Sequence, residues 1–192
     1  VAIDYMNNIG IEKIIAHDPY IPQSVADLYG VKLVSFDELI TESDIITVHS
    51  PATAENNHAF NLDAFSKMKE NVIFINCARG PIVNESDLAH ALNNNIIYSA
   101  GIDVTEIEPL DAESPLLKSD NLFITPHYAG GSNFTASEGS RRWAQNAVNV
   151  LSGKKLWGLA NPDVKRVITI MRTKGSSKWD NIPDPVTDFD FM

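Results

Sequence analysis

Residues 72–103 read VIFINCARGPIVNESDLAHALNNNIIYSAGID, a segment in which two apolar runs enclose a more polar one. The first run, residues 72–76, is short and rich in isoleucine, which predicts a buried strand. Residues 84–92 place their leucines and alanines on one helical face, and residues 96–103 predict another strand. Strands that alternate with a helix in this way are typical of an α/β sheet.

The same alternation extends to both sides of this segment. Apolar runs bounded by turn residues predict further strands at residues 14–16, 31–34, 44–49 and 122–125. Helical spacing and capping residues predict helices at residues 1–9, 23–29, 36–40 and 134–151. Strands that are apolar on both faces and separated by helices favour a parallel sheet covered by helices, so we predict a doubly wound α/β fold. In the last helix we expect Ala136, Trp143, Ala147, Val148 and Leu151 to face inward.

The composition is that of a globular protein with an acidic surface. Hydrophobic residues make up 44% of the 192 residues and charged residues 21%, which argues against intrinsic disorder. The net charge of −10 disfavours nucleic-acid and anionic membrane partners, because like charges repel. No apolar run is long enough to span a membrane. A single cysteine, Cys77, excludes an intrachain disulfide and fits a soluble protein of the reducing cytoplasm.

Several polar residues follow directly after predicted strands. Ligands of parallel α/β sheets bind outside the carboxyl ends of the strands, so these residues are our candidates for chemistry. They are Asp18, His49, Ser50, residues 76–79, Asp103, Glu108 and His127. No pair of histidines has metal-ligand spacing, and we predict no metal site.

Asp18 follows the strand at residues 14–16, where dinucleotide-binding folds place a carboxylate. A carboxylate there accepts hydrogen bonds from both hydroxyls of the adenine ribose and repels a 2′-phosphate, which favours NAD over NADP. The alternative is that Asp18 starts the turn through Pro19, a common role for aspartate. The residues alone leave both interpretations open.

Arg79, His127 and Glu108 have side chains suited to acid–base chemistry on a small acid. The planar guanidinium of Arg79 can hold a carboxylate with two hydrogen bonds, and His127 can exchange a proton near neutral pH. Glu108 can hold the second ring nitrogen of His127. The ordinary alternative is a solvated loop arginine and a solvated loop glutamate. A hydrolase based on Ser50 is disfavoured because the nucleophile elbow is missing, and Cys77 is interpreted as a small buried hydrophobic residue.

Residues 76–84 read NCARGPIVN, residues 100–110 read AGIDVTEIEPL and residues 124–131 read ITPHYAGG. These three segments, in this order, resemble the signatures of the D-isomer-specific 2-hydroxyacid dehydrogenases. The segments HDPY at residues 17–20 and TVHSP at residues 47–51 also fit the family. The resemblance covers residues 1–153.

The resemblance implies a Rossmann-type domain and an oxidoreductase that transfers a hydride between NAD and C2 of a small D-2-hydroxy or 2-oxo acid. It implies that Arg79 binds the substrate carboxylate and carbonyl, that His127 exchanges the proton at the 2-oxygen, and that Glu108 increases the basicity of His127. Asp18 is then expected at the adenosine ribose and Asp103 at the nicotinamide carboxamide. The expected lining of the cofactor groove comprises Ser50, Pro51, Cys77, Ala78, Arg79, His127 and Gly130.

The family's chains are longer than this one, which begins with Val1 in a predicted helix. We therefore expect residues 1–153 to be a truncated NAD-binding domain that lacks its first strand and glycine loop, and residues 154–192 to be a C-terminal segment and tail. A homodimer is expected from the family. Two alternatives remain open: an NAD-sensing binding module, like the corepressors that keep the same three residues, and a catalytically inactive fragment.

Overall fold

The computed structural model describes residues 2–152, 154 and 158. The chain divides into two compact units, residues 1–129 and residues 130–192. The helices of the first unit are α1 Ala2–Asn8, α2 Gln23–Asp27, α3 Phe36–Glu42, α4 Leu62–Lys67 and α5 Glu85–Asn93. Its strands are β1 Ile15–Ala16, β2 Lys32–Leu33, β3 Ile45–Val48, β4 Ile73–Asn76, β5 Ser99–Ile102 and β6 Leu122–Ile124. Two 3₁₀ turns, Gly80–Ile82 and Pro115–Lys118, complete it.

All strand pairs are parallel. One sheet has the order β3-β4-β5-β6, and β1 pairs with β2 in a separate two-stranded sheet. The register places Val48, Asn76, Ile102 and Ile124 side by side in the last row of the larger sheet. The loops that follow these four strands therefore leave from one common edge. The predicted α/β fold with parallel strands is confirmed.

The core lies on one face of the larger sheet. Phe74 of β4 is fully buried there, with the ring of Phe60 at 4.9 Å and that of Phe65, from α4, at 5.5 Å between centroids. On the opposite face, Ile45 and Phe123 are 52% and 72% exposed. Within the described part of the first unit, helices thus cover this sheet on one side, although the strand sequences predicted burial on both.

Capping residues set most of the helix starts. The hydroxyl of Ser35 accepts a hydrogen bond from the N–H of Glu38 at 3.1 Å and so caps α3. Asn84 caps α5 in the same way, accepting from the N–H of Asp87 at 3.0 Å. Helix α4 was not predicted, although Asn61 caps it by accepting from the N–H of Ala64. At six residues, this helix is too short to show a helical period of apolar residues.

The second unit contains α6, Asn133–Leu151, close to the predicted bounds. The expectation that its large apolar residues face inward is wrong, because Trp143 is 79% and Leu151 is 65% exposed. A helical period identifies an apolar stripe but not what covers it. Residue 153 and nearly all of residues 154–192, the expected C-terminal segment and tail, lie outside the described residues. Among the helices described, none combines the length and the apolar character needed to cross a bilayer.

Candidate active site

The carboxyl edge of the larger sheet carries an open cleft of about 400 Å³. It is lined by His49, Ser50, Pro51, Cys77, Ala78 and Arg79. The first three residues follow β3 and the last three follow β4, and the register brings both strands to the same row. The structure therefore brings together five of the residues predicted to line the cofactor groove. Their role in binding stays a prediction.

Asn76, the last residue of β4, shapes the loop that carries Arg79. Its side chain is buried, and it accepts a hydrogen bond from the N–H of Ala78 and donates one to the carbonyl of Arg79, both at 3.0 Å. Arg79 itself is exposed, with Nη1 donating to the carbonyl of Ala78 at 2.6 Å. A buried amide thus holds the backbone on both sides of an exposed guanidinium. The other guanidinium donors have no described protein partner.

Cys77 is exposed, so its interpretation as a buried hydrophobic residue is wrong. The alternation along β4 buries Phe74 and Asn76, and the next residue faces the other way. The alternation of buried and exposed residues along the strand could have predicted that Cys77 is exposed, whereas the apolar character of cysteine favoured burial.

Gly80 packs the Arg79 loop directly against the loop that follows β5. A Cβ atom on Gly80 would lie 1.9 Å from the carbonyl oxygen of Thr105 and 2.5 Å from the backbone nitrogen of Glu106. No side chain fits at these distances, so close approach of the two backbones requires glycine here. The contact fixes the Arg79 loop relative to the turn that contains Glu108.

His127 and Glu108 form the hydrogen-bonded pair that the sequence predicted. His127 Nδ1 lies 2.8 Å from Oε2 of Glu108, and Oε1 of Glu108 accepts from the N–H of Thr105 at 3.2 Å. The hydrogen bond with His127 lowers the pKa of Glu108 below its ordinary value, and the Thr105 N–H contributes in the same direction. Since an ionised carboxylate can only accept, the contact assigns the proton to Nδ1 of neutral His127 and leaves Nε2 as an acceptor.

Asp103 holds the loop that carries His127. Its buried carboxylate accepts from the hydroxyl of Thr125, from the N–H of Tyr128 at 2.8 Å and from the N–H of Ala129 at 2.9 Å. Its carbonyl accepts from the N–H of His127 at 2.8 Å. Burial acts to raise the pKa of Asp103, but these donors outweigh it and the net pKa is lowered. The predicted contact with a carboxamide stays a prediction, and both carboxylate oxygens already have protein donors.

The backbone of His127 is left-handed, with φ 54°. A non-glycine residue rarely adopts this conformation. Here it is held by hydrogen bonds to the Asp103 carboxylate from the hydroxyl of Thr125 and from the N–H groups of Tyr128 and Ala129. The imidazole is half exposed, as is Glu108, with side-chain exposures of 50% and 41%. The pair is therefore open to a small molecule at the sheet edge.

Arg79 and His127 leave the same edge of the sheet from strands separated only by β5. Parallel strands lie about 4.8 Å apart, so the ends of β4 and β6 are about 10 Å from each other. Side chains on the loops that follow these two strands can therefore reach the same small molecule. The topology thus places the loops that carry Arg79 and His127 at one edge of the sheet.

The remaining predicted residues are Asp18 and Gly130. Asp18 follows β1 in the smaller sheet and is exposed, and its Oδ1 accepts from the N–H of Tyr20 at 2.9 Å. The turn interpretation of Asp18 is thus observed, while its ribose contact stays a prediction. Gly130 is the first residue of the second unit. In the part of the chain that is described, no three His, Cys, Asp or Glu side chains are grouped as metal ligands.

Sequence reasoning missed two contributors to the edge. Glu106 pairs with His58 at 2.9 Å. The partners are 48 positions apart, and no local pattern links them. The second contributor is Gly80, whose contact with Thr105 depends on how β4 and β5 pair.

A parallel α/β sheet with polar side chains gathered at its carboxyl edge places the chain in the class of α/β proteins that bind ligands at this edge. Within that class, the sequence model of the D-isomer specific 2-hydroxyacid dehydrogenase NAD binding domain matches residues 2–129. The chain belongs to this family. Its homologues are NAD-dependent 2-hydroxyacid oxidoreductases.

Individual relatives agree with this assignment. The chain is 40% identical to D-3-phosphoglycerate dehydrogenase of Archaeoglobus fulgidus and 38% identical to glyoxylate/hydroxypyruvate reductase B of Salmonella newport, each over 140 residues, or 73% of this chain. The apo-structure of D-lactate dehydrogenase from Escherichia coli superposes with a TM-score of 0.70 at 34% identity over 79% of this chain. The chain spans 27%, 43% and 48% of the lengths of these three proteins.

Proposed function

We propose that this protein carries the cofactor-binding and acid–base part of an NAD-dependent dehydrogenase that interconverts D-2-hydroxy acids and 2-oxo acids. The observation that carries the proposal is the 2.8 Å contact between Glu108 and His127, at the same sheet edge as Arg79. An imidazole with an orienting carboxylate is the arrangement that proton exchange at an alcohol or carbonyl oxygen needs.

The residues at this edge fit a dinucleotide. The cleft along residues 49–51 and 77–79 is open and lies at the carboxyl ends of β3 and β4, where parallel α/β sheets bind nucleotides. In the proposed complex these residues hold the nicotinamide half, and the exposed carboxylate of Asp18 accepts from the adenine ribose. Bound NAD supplies the hydride acceptor, or NADH the hydride donor, for C2 of the substrate.

The chain's own residues then orient the substrate and move one proton. Arg79 binds the substrate carboxylate through its planar fork, which leaves C2 and its oxygen toward His127. In the oxidative direction Nε2 of neutral His127 accepts the proton of the 2-hydroxyl. In the reductive direction protonated His127 donates that proton to the carbonyl oxygen. Glu108 holds Nδ1 in both directions and stabilises the imidazolium once it forms.

The decisive experiment is a steady-state assay of the complete gene product that contains this chain. Oxidation of NADH is followed at 340 nm with glyoxylate, hydroxypyruvate and pyruvate, and reduction of NAD with D-3-phosphoglycerate and D-lactate. Turnover with one of these acids supports the proposal. NAD binding in a calorimetric titration without turnover on any of them contradicts it and favours an NAD-sensing binding module.

We also propose a homodimer in the cytoplasm as the setting of this activity. The family resemblance supports the homodimer, and the single cysteine of the sequence is compatible with a reducing compartment. Multi-angle light scattering of the complete protein tests the assembly, and a monomer at micromolar concentration contradicts it.

A further inference from the structure

Glu106 joins three segments of the first unit. Its Oε1 accepts from the backbone N–H of Glu85 at 2.8 Å, and its Oε2 lies 2.9 Å from Nε2 of His58. Its own N–H donates to the carboxylate of Glu85. Glu85 is the first residue of α5, and His58 lies in the loop between β3 and α4. Glu106 therefore ties the loop after β5 to both of these neighbours.

The two partners of Glu106 are themselves held in place. His58 has a left-handed backbone, with φ 51°, and its N–H donates to the carbonyl of Pro81 at 2.9 Å. The side chains of His58 and Glu106 are 36% and 30% exposed, so solvent screens this contact less than it screens a fully exposed pair. Burial raises the pKa of Glu85, and the hydrogen bond from the Glu106 N–H opposes that rise.

Glu106 lies two residues before Glu108, in a turn with its own internal hydrogen bonds. The N–H of Thr105 donates to Glu108, and the hydroxyl of Thr105 donates to the carbonyl of Ile107 at 2.8 Å. Residues 105–108 therefore form one hydrogen-bonded turn, which Glu106 anchors to His58 and to the start of α5. A shift of this anchor displaces the Glu108 carboxylate relative to His127.

We propose that Glu106 is a positioning residue, which holds the turn of residues 105–108 so that the Glu108 carboxylate stays on Nδ1 of His127. Its effect on catalysis rests on the proposed function, whereas its effect on Glu108 does not. If Glu106 acted only through its charge, its removal would lower the pKa of Glu108, because a nearby negative charge would be lost. If it positions Glu108, its removal raises that pKa, because the hydrogen bond with His127 weakens.

The test follows the Glu108 carboxyl carbon by ¹³C NMR as a function of pH in the complete protein that contains this chain. We expect Glu106→Ala to raise the pKa of Glu108 toward the ordinary value of about 4.3. Glu106→Gln keeps an acceptor for the Glu85 N–H and should give a smaller rise. His58→Gln, which weakens the anchor from its other side, should also raise it. The matched control is Glu113→Gln, which removes one charge from an exposed residue of the same β5–β6 connection.

The kinetic arm uses the complete protein. Glu106→Ala should lower kcat about tenfold, less than the 10²–10⁴ that a general acid–base group contributes, and should leave the KM for NAD unchanged. A fall or no change in the pKa of Glu108 in the folded Ala and Gln variants overturns the proposal. If Glu106→Ala does not fold, Glu106→Gln and His58→Gln decide. Absence of activity in the unmodified protein contradicts the proposed function alone, because the NMR result still decides the positioning role.

Discussion

Replacement of Gly80 by alanine tests the close backbone approach between the Arg79 loop and the turn of residues 105–108. The added Cβ would lie 1.9 Å from the carbonyl oxygen of Thr105, and its nearest approach must rise to at least 3.0 Å. The obstacle is backbone on both sides, so no side-chain rotation relieves it. The two loops must therefore separate by about 1 Å, or one peptide must rotate.

The cost follows from this displacement. Overpacking a closely packed site costs about 1–3 kcal/mol, which corresponds to a fall in Tm of roughly 2–12 °C for a chain of this size. The relative loss of kcat should be larger than the loss of stability, because a misplacement of about 1 Å can lower the rate about 100-fold. Both Arg79 and Glu108 sit on the loops that separate.

The assay combines thermal unfolding, followed by circular dichroism, with kcat of the complete protein. Gly101→Ala is the matched control, because a Cβ on Gly101 of β5 has no neighbour within 4 Å. We expect the control to keep the Tm within about 2 °C of the unmodified protein. If Gly80→Ala unfolds at the same temperature as Gly101→Ala and keeps full activity, the reasoning from the 1.9 Å distance is refuted.

Three further changes test the residues at the sheet edge. His127→Ala should lower kcat by about 10²–10⁴ and leave the Kd for NAD nearly unchanged in calorimetry, because it removes the proton acceptor alone; unaltered turnover would contradict its role. Arg79→Lys should raise the KM of the substrate acid about tenfold or more, since a point charge does not reproduce the two-bond fork; equal kinetic constants would argue against carboxylate binding. Asp103→Asn should destabilise the fold by about 1–3 kcal/mol at pH 7, because an amide nitrogen would face N–H donors. Its native pKa is lowered below 3.8, so the stabilisation by Asp103 is present above about pH 4 and is lost as the pH falls through the native value. Urea unfolding between pH 6 and pH 2.5 should therefore show a shallower loss of stability in Asp103→Asn than in the unmodified protein, and identical slopes would contradict this.

The local pattern was sufficient for most of the fold. Strand β4 and helix α5 lie within one residue of their predicted bounds, since an isoleucine-rich run and the cap at Asn84 are signals contained in a few neighbouring residues. Helix α4 escaped prediction because six residues carry too little periodicity. The faces of α6 were assigned wrongly, because an apolar stripe records a preference for burial and not the identity of its cover.

The residues of the candidate site also differ in whether a local sequence pattern reveals them. Arg79, Glu108 and His127 were recognisable because each stands in a short motif directly after a strand. The motif around Glu108 did not reveal Glu106 as an anchor, since His58 is 48 positions away and Glu85 is 21 positions away along the chain.

Residue order alone was enough to establish the alternation of strands and helices, the family and the three candidate catalytic side chains, because these depend on neighbours within about a dozen positions. The pairing of four parallel strands settled the rest: that Arg79 and His127 share one edge, that Gly80 has no room for a side chain, and that Asp103 is enclosed by donors from the His127 loop. These features depend on which backbones approach each other in space. That approach is set by the packing of the whole sheet, and no short segment encodes it.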